Sequence, residues 1–295
     1  MNKTKLKTSL FIVSSFLIPA IMMFFIYLSQ GIYSNSDTSP LLGDGYHQYV
    51  IFDTTLRNIL HGTDSLFYSF QSGLGINFYA LSSYYLGSFF SPLVYFFNAQ
   101  SMPDAVYLIT LLKFGAIGLS TYISLHGMFS KIPRSLVLTL STSFALMSFA
   151  ISQIEIKTWL DVFILAPLIL YGFKKLIYKE GEILYFISLT SLFIQNYYFG
   201  FMMSIFLILW YLTQLSWDIK GIGKRFFHFV IVSLLSVITS LVMLFPTFLD
   251  LRTHGESFSN VDSIFTEKSW YLDVFAKNFI GSFDTTKYGS IPIIY

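Results

Sequence analysis

LFIVSSFLIPAIMMFFIYL, residues 10–28, is an unbroken apolar run that follows Lys3, Lys5 and Lys7. A helix rises about 1.5 Å per residue, so such a run covers most of a hydrocarbon core about 30 Å thick. A cleavable secretory signal has a shorter apolar centre and a small-residue cleavage motif. This run is long enough to be retained as a span. Its lysine-bearing start places the N-terminus on the cytoplasmic side.

The rest of the chain has the same character. Of 295 residues, 54% are hydrophobic and 12% are charged, with a mean hydropathy of +0.63. A soluble domain carries about 25% charged residues, so this chain cannot cover itself against water and needs the bilayer as solvent. Phe and Tyr are abundant, at 33 and 20, and Tyr favours the membrane–water boundary. The absence of Cys excludes disulfides, thiolate-held metal and thiol catalysis. A net charge of +2 offers no footprint for nucleic acid.

Placing the Lys and Arg clusters in the cytoplasm orders the remaining runs. Residues 10–28 go out, and 30–78 form a large polar, Gly-containing outer loop. Residues 104–126 return, to Lys131 and Arg134. Residues 135–152 go out, and 160–178 come in, ending at Lys174, Lys175 and Lys179. Residues 183–198 go out, 200–217 return to Lys220, Lys224 and Arg225, and 226–249 go out. Residues 80–97 are apolar but interrupted by Gly87, Ser88 and Pro92. As a full span they would invert every later helix, so they are assigned as a re-entrant or interfacial segment. The expected architecture is an all-α, multi-pass transmembrane helical bundle of about seven spans. Residues 1–249 form the transmembrane domain, and 250–295 a polar segment on the outer face.

Polar residues gather in the outer segments. Asp44, His47, Gln48 and Tyr49 fall within six residues, with Gly43 and Gly45 allowing a sharp turn and close approach of a ligand. Such a carboxylate can take a proton from a hydroxyl or bind a cation; a plain Gly-Asp-Gly surface turn is the simpler alternative. Arg57 and His61 meet either a phosphate or water. Gly73-x-Gly75 lacks the lysine and the strand–helix setting of a nucleotide loop. Trp159-Leu160-Asp161 sits where an outer turn re-enters the membrane: Asp161 is a functional candidate there, or a helix cap. Asn196 and Tyr197 lie at another outer corner, as ligand contacts or as an aromatic belt. Glu155 and Lys157 are assigned to solvent. His47, His61 and His254 are too dispersed for a histidine metal site, and no His-Glu-x-x-His, nucleophile-elbow or Walker motif occurs.

Taken in order, these motifs carry a resemblance. Gly-Asp-x-x-x-Gln-Tyr (Gly43, Asp44, Gln48, Tyr49) precedes Leu-Phe-Tyr-Ser-Phe and Gly-Leu-Gly-x-Asn-Phe at 66–70 and 73–78. Tyr-Tyr-Leu-x-Ser and Ser-Pro-Leu follow at 84–88 and 91–93, then Phe-Ala-Leu-Met-Ser at 144–148. Last come Trp-Leu-Asp with Ala-Pro-Leu-Ile-Leu-Tyr-Gly at 159–161 and 166–172, and Asn-Tyr-Tyr-x-Gly at 196–200. The set resembles the YfhO-like family of bacterial multi-pass membrane proteins, from the first span to the last outer segment. Members of that family are similar to GT-C glycosyltransferases. The resemblance implies transfer of a sugar from a polyprenyl-phosphate carrier to a cell-envelope polymer of the lipoteichoic acid class, on the outer face of the bacterial cell membrane. It implies that Asp44 is the first-loop acidic residue, a base or the ligand of a divalent metal, with no other cofactor indicated. His47, Gln48, Tyr49, Arg57, Asp161, Asn196 and Tyr197 would bind substrate. Family members are longer, so the chain corresponds to an N-terminal fragment or to a half completed by a second chain. The alternatives are a lipid or polysaccharide transporter or flippase, which needs charges near mid-membrane, and a non-catalytic membrane scaffold. Charges within the expected spans are sparse and mostly terminal, which favours surface chemistry.

Overall fold

The computed structural model describes residues 3–41, 43–71, 74–214 and 222–254. The chain divides into two units, Met1–Asp250 and Leu251–Tyr295. Of the second, only the last turn of the final helix falls among the described residues. Most of the expected polar tail, 255–295, lies outside them.

The first unit is helical. α1 (Lys3–Ser29) leads to a π-helical turn, Gly45–Tyr49, which runs directly into α2 (Val50–Leu60). A two-residue hairpin, β1 (Tyr68–Ser69) against β2 (Ile76–Asn77), precedes α3 (Phe78–Tyr85) and a 3-10 turn, Ser91–Phe96. Then follow α4 (Met102–Met128), α5 (Arg134–Ala145), α6 (Ser148–Ser152), α7 (Lys157–Ile177), α8 (Ile183–Gln195), α9 (Tyr197–Gln214) and α10 (Ile222–His254). Seven helices or helix pairs thus stand where seven spans were expected. Among the described residues, four are long and apolar enough to cross a membrane: Thr8–Ser29, Met102–Met128, Arg134–Ser152 and Gly223–Arg252. α7 is as long but carries Lys157, Asp161, Lys174 and Lys175. α8, at about 20 Å, is shorter than a bilayer core.

The segment at 80–97 does not span. Asn77 caps α3, its Oδ1 accepting from Ala80 N–H at 3.1 Å, and the helix ends at Tyr85 after about 12 Å. Two boundaries differ from expectation. α9 begins at Tyr197 rather than at residue 200, because Asn196 Oδ1 caps it by accepting from Phe199 N–H at 3.1 Å. α10 continues through Asp250 to His254, where a polar loop was expected.

Burial follows from the sequence pattern. On α1, Ser15, Pro19, Met23 and Tyr27, four residues apart, are buried, and Tyr27 lies against Tyr107 of α4 with ring centroids 5.4 Å apart. Leu10, Val13, Leu17, Ile21, Phe25 and Leu28 face outward as exposed apolar side chains, the surface expected against lipid. One core joins α1, α4, α5–α6 and α7 through residues such as Phe114, Ile117, Ala145 and Leu160. A second joins α7 to α8, α9 and α10 through Phe173, Tyr185, Leu189, Tyr211 and Phe229. α7 belongs to both. Several hydroxyls inside the helices are satisfied locally, as when Thr110 Oγ1 donates to Val106 O and Ser236 Oγ to Val232 O.

Side chains also fix which helix ends meet. Lys174 Nζ donates to Met128 O at 2.5 Å, joining the ends of α7 and α4. Arg134 at the start of α5 donates to Thr8 Oγ1 at 2.9 Å. His228 of α10 meets Glu182 at the start of α8 at 3.1 Å. These cationic segments therefore share one end of the bundle. The polar segment at 30–78, α3 and the 3-10 turn gather at the other end.

Candidate functional site

The segment at 30–78 is ordered around α2, an amphipathic helix. Its Phe52 and Leu56 pack against Phe78 and Leu86 and against the 3-10 turn. Its polar side brings Asp53 inside, where the carboxylate is gripped by Lys157 Nζ through both oxygens. One turn further along α7, Asp161 Oδ2 accepts from Lys113 Nζ of α4 at 2.7 Å, and Asp161 Oδ1 accepts from Ser88 Oγ at 2.8 Å. Lys113 Nζ also donates to Lys157 O at 2.8 Å, linking the two pairs. All four charged residues are at most 2% exposed. Ions so far from water persist only because each is paired and further hydrogen-bonded.

The position of this network follows from helix geometry. Lys113 lies about 22 Å along α4 from Met128, and Asp161 about 24 Å along α7 from Ile177. Those two ends are tied together by Lys174. The ion pairs therefore sit toward the far end of the bundle, beneath the polar segment. α4 extends beyond them by about 16 Å. Lys113 is thus a buried charge well inside a span, which corrects the expectation that charges there are mostly terminal. Lys157, assigned to solvent by the sequence reading, is buried and paired. Asp161 is not a cap: α7 starts four residues earlier, at Lys157, with no side-chain cap.

Above the network lies Asp44. It is exposed, at the start of the π-helical turn, which Gly43 enters with φ +45. A Cβ there would lie 2.6 Å from Glu155 Oε2, so the Glu155 carboxylate rests against this turn. Gln48 Nε2 donates to Asp44 Oδ1 at 3.2 Å, and Gln48 Oε1 accepts from the Tyr85 hydroxyl at 2.6 Å. Tyr85 thereby fixes which way the Gln48 amide faces. Tyr49 is buried below; its hydroxyl meets Thr158 Oγ1 at 2.9 Å, and Lys157 Nζ lies 5.5 Å from its ring centroid. Tyr85 packs against Tyr49, Phe52 and Tyr84, and Tyr84 reaches Tyr197 at 6.1 Å between centroids. Burial holds the Tyr49 phenol above its ordinary range, with neighbouring tyrosines adding to the rise and the hydrogen bond to Thr158 opposing it. Burial does the same for Tyr85, helped by Tyr84 and the Asp44 carboxylate.

Of the residues singled out from sequence, the structure groups Asp44, Gln48, Tyr49 and Tyr197 at one corner. His47 is exposed beside Tyr46, ring centroids 5.3 Å apart. Asn196 is buried as the α9 cap, its Nδ2 without a partner among the described residues. Asp161 lies in the ion network below. Arg57 does not join the group: its Nε donates to Phe97 O at 2.6 Å and it also meets Asn58, so it fastens α2 to the 3-10 turn. His61 accompanies it, stacked on Tyr95 at 4.4 Å. No group of three or more His, Asp or Glu able to hold a metal occurs among the described residues. Asp53, Lys113, Lys157 and Ser88 were not anticipated as a group. One signal pointed to them: an unaccompanied Lys113 inside an apolar run requires a buried partner.

Four of the motifs, spread from residue 43 to residue 200, thus adjoin. Gln48 reaches Tyr85, Tyr49 reaches Thr158, Ser88 reaches Asp161, and Trp159 packs edge-on against Phe199 at 5.3 Å. A family model described as "Bacterial membrane protein YfhO" matches residues 14–295. The chain belongs to the YfhO family. No curated protein and no solved structure matches it. The YfhO match includes every residue of the corner and of the ion network beneath it.

Proposed function

We propose that this YfhO-family chain belongs to a membrane glycosyltransferase that moves a sugar from a polyprenyl-phosphate carrier to a hydroxyl of a cell-envelope polymer, with Asp44 as the base. The observation that carries the reading is the Asp44–Gln48–Tyr85 relay at an exposed, tyrosine-lined corner. Gln48 holds Oδ1 of Asp44, and Oδ2 has no partner among the described residues. Oδ2 would take the proton of the acceptor hydroxyl as that oxygen attacks the anomeric carbon. The bond from that carbon to the carrier phosphate breaks, and its electron pair leaves on the phosphate. The products are the glycosylated acceptor, polyprenyl phosphate and a protonated Asp44. Tyr46, His47 and Tyr197 offer the aromatic and polar surface against which a sugar packs. Orienting the acceptor and removing its proton is work that one fixed carboxylate can do.

Asp44→Asn keeps the hydrogen bond from Gln48 but cannot accept the proton. In membranes reconstituted with a labelled polyprenyl-phosphate sugar and acceptor, transfer should fall by about 10²-fold or more, with the protein still inserted. Unchanged transfer removes Asp44 from the mechanism. The same assay reads the rival activities: a carrier that crosses the bilayer without transfer marks a transporter, and neither event marks a scaffold.

A further inference from the structure

From residue 65 to residue 103 the chain carries no Asp, Glu, Lys, Arg or His. That stretch folds as the β1–β2 hairpin, α3 and the 3-10 turn, each too short to span a bilayer. Charge returns at Asp104, in the first turn of α4, which accepts from Asn35 N–H at 2.9 Å. In water an uncharged segment hides its large apolar side chains, yet the hairpin displays them. Phe67 and Phe70 are 68% and 77% exposed, and Leu74 wholly so. Large apolar side chains grouped on a surface mark contact with a partner or a membrane.

The root of the hairpin fixes what lies beside it. Phe78 N–H, at the start of α3, donates to Phe67 O at 3.1 Å, and the Phe67 ring lies 5.8 Å from that of Tyr79. The Tyr79 hydroxyl donates to Val242 O of α10 at 3.0 Å, and one turn later Ser83 Oγ meets Thr247 Oγ1 at 2.7 Å. α3 therefore runs alongside α10 in the same direction, and its hairpin end is the end nearer the middle of the bundle. Val242 stands inside the apolar stretch Gly223–Arg252, and its side chain is exposed. Phe245 and Phe248, also exposed, carry the apolar surface of α10 about 9 Å beyond it. The hairpin thus leaves the bundle at a level where α10 still turns apolar side chains outward.

We propose that this hairpin is a membrane insertion, with Phe67, Phe70 and Leu74 among the phospholipids of the leaflet at this end of the bundle. Its depth is the boundary of headgroups and acyl chains, because a two-residue ladder leaves backbone groups that need water or headgroups. The exposed Tyr68 suits that boundary. Phospholipid is favoured over a protein partner because the surface continues the outward apolar side of α10 and offers no charge to specify a partner. The insertion does not depend on the chemistry at Asp44.

The test uses the full chain, which has no Cys, in phosphatidylcholine vesicles, with a nitroxide attached at Phe70→Cys, Leu74→Cys or Ser34→Cys. Oxygen concentrates among acyl chains and a chelated nickel complex stays in water; power-saturation electron paramagnetic resonance reads collisions with each. Oxygen should collide more than nickel at residues 70 and 74, and the order should reverse at the exposed Ser34. Leu74 is wholly exposed, so its replacement disturbs no packing and decides alone if Phe70→Cys does not fold. Nickel exceeding oxygen at residue 74 overturns the proposal. Protection of residue 74 from both also overturns it, since protein then covers the hairpin.

Discussion

Lys157 sets the terms at the scale of single residues. It grips Asp53 with both carboxylate oxygens and lies over Tyr49, while its own carbonyl receives Lys113. Removing one member of a buried pair leaves the other charged and unsolvated, which costs about 3–5 kcal/mol. Lys157→Met should therefore lower the thermal unfolding midpoint markedly in detergent. Replacing both partners, Asp53→Leu with Lys157→Met, should recover most of that loss, because no orphaned charge remains. A double variant as unstable as the single one would show that the ion pair itself, rather than the orphaned carboxylate, carries the effect. Tyr85→Phe probes the relay above. It deletes the donor that orients Gln48 and leaves the ring packing in place. Stability should stay nearly constant while transfer falls about tenfold; equal transfer would remove Tyr85 from the positioning of Asp44.

Among the elements, α3 and the linker after it show how a segment too short to span is held at one end of a bundle. The Tyr79 hydroxyl donates to Val242 O at 3.0 Å, Thr247 Oγ1 meets Ser83 Oγ at 2.7 Å, and Ser88 reaches Asp161. Gly87 permits a close approach. A Cβ there would fall 2.6 Å from Ile194 O and 2.7 Å from Gln195 Cα, so the linker lies directly on the backbone at the end of α8. Neither atom is the tip of a flexible side chain. Gly87→Ala should push the linker off α8, costing about 1–3 kcal/mol and pulling Ser88 from Asp161. Thermal unfolding checks the first effect. Limited proteolysis between α3 and the 3-10 turn checks the second, and protection unchanged from the parent chain would contradict this packing.

At the scale of the whole molecule, the helical unit Met1–Asp250 has two unlike ends among its described residues. One gathers Lys131, Arg134, Lys174, Lys179, Lys224 and Arg225, which the proposal of outer-face transfer requires to be inside, as the excess of basic residues on cytoplasmic loops leads one to expect. The other carries the polar corner with Asp44. The chain has no Cys, so single cysteines report position without background. A membrane-impermeant maleimide applied to intact cells should label Ser34→Cys, which is exposed ahead of the polar corner. It should label Lys131→Cys only after permeabilisation. The reverse pattern would place Asp44 in the cytosol and end the proposal of outer-face transfer.

The sequence by itself determined that this is a membrane protein of helices, and where its long apolar ones lie, though not α2 within the outer loop. An apolar run of fixed length has one way to satisfy its backbone in lipid, so residues 10–28, 104–126 and 226–249 foretold α1, α4 and α10. It also determined family membership, because ordered motifs are a property of the chain alone. What only the tertiary structure decided is which polar residues meet. Asp53 lies 104 positions from Lys157, and Lys113 lies 48 from Asp161; periodicity carries no record of such separations. Lys157 reads as a solvated charge in a turn, and Arg57 as a candidate anion clamp, until packing buries the first against Asp53 and commits the second to Phe97. A charge in a low-dielectric interior takes whichever partner the fold brings within reach, and that choice belongs to the packed helices together.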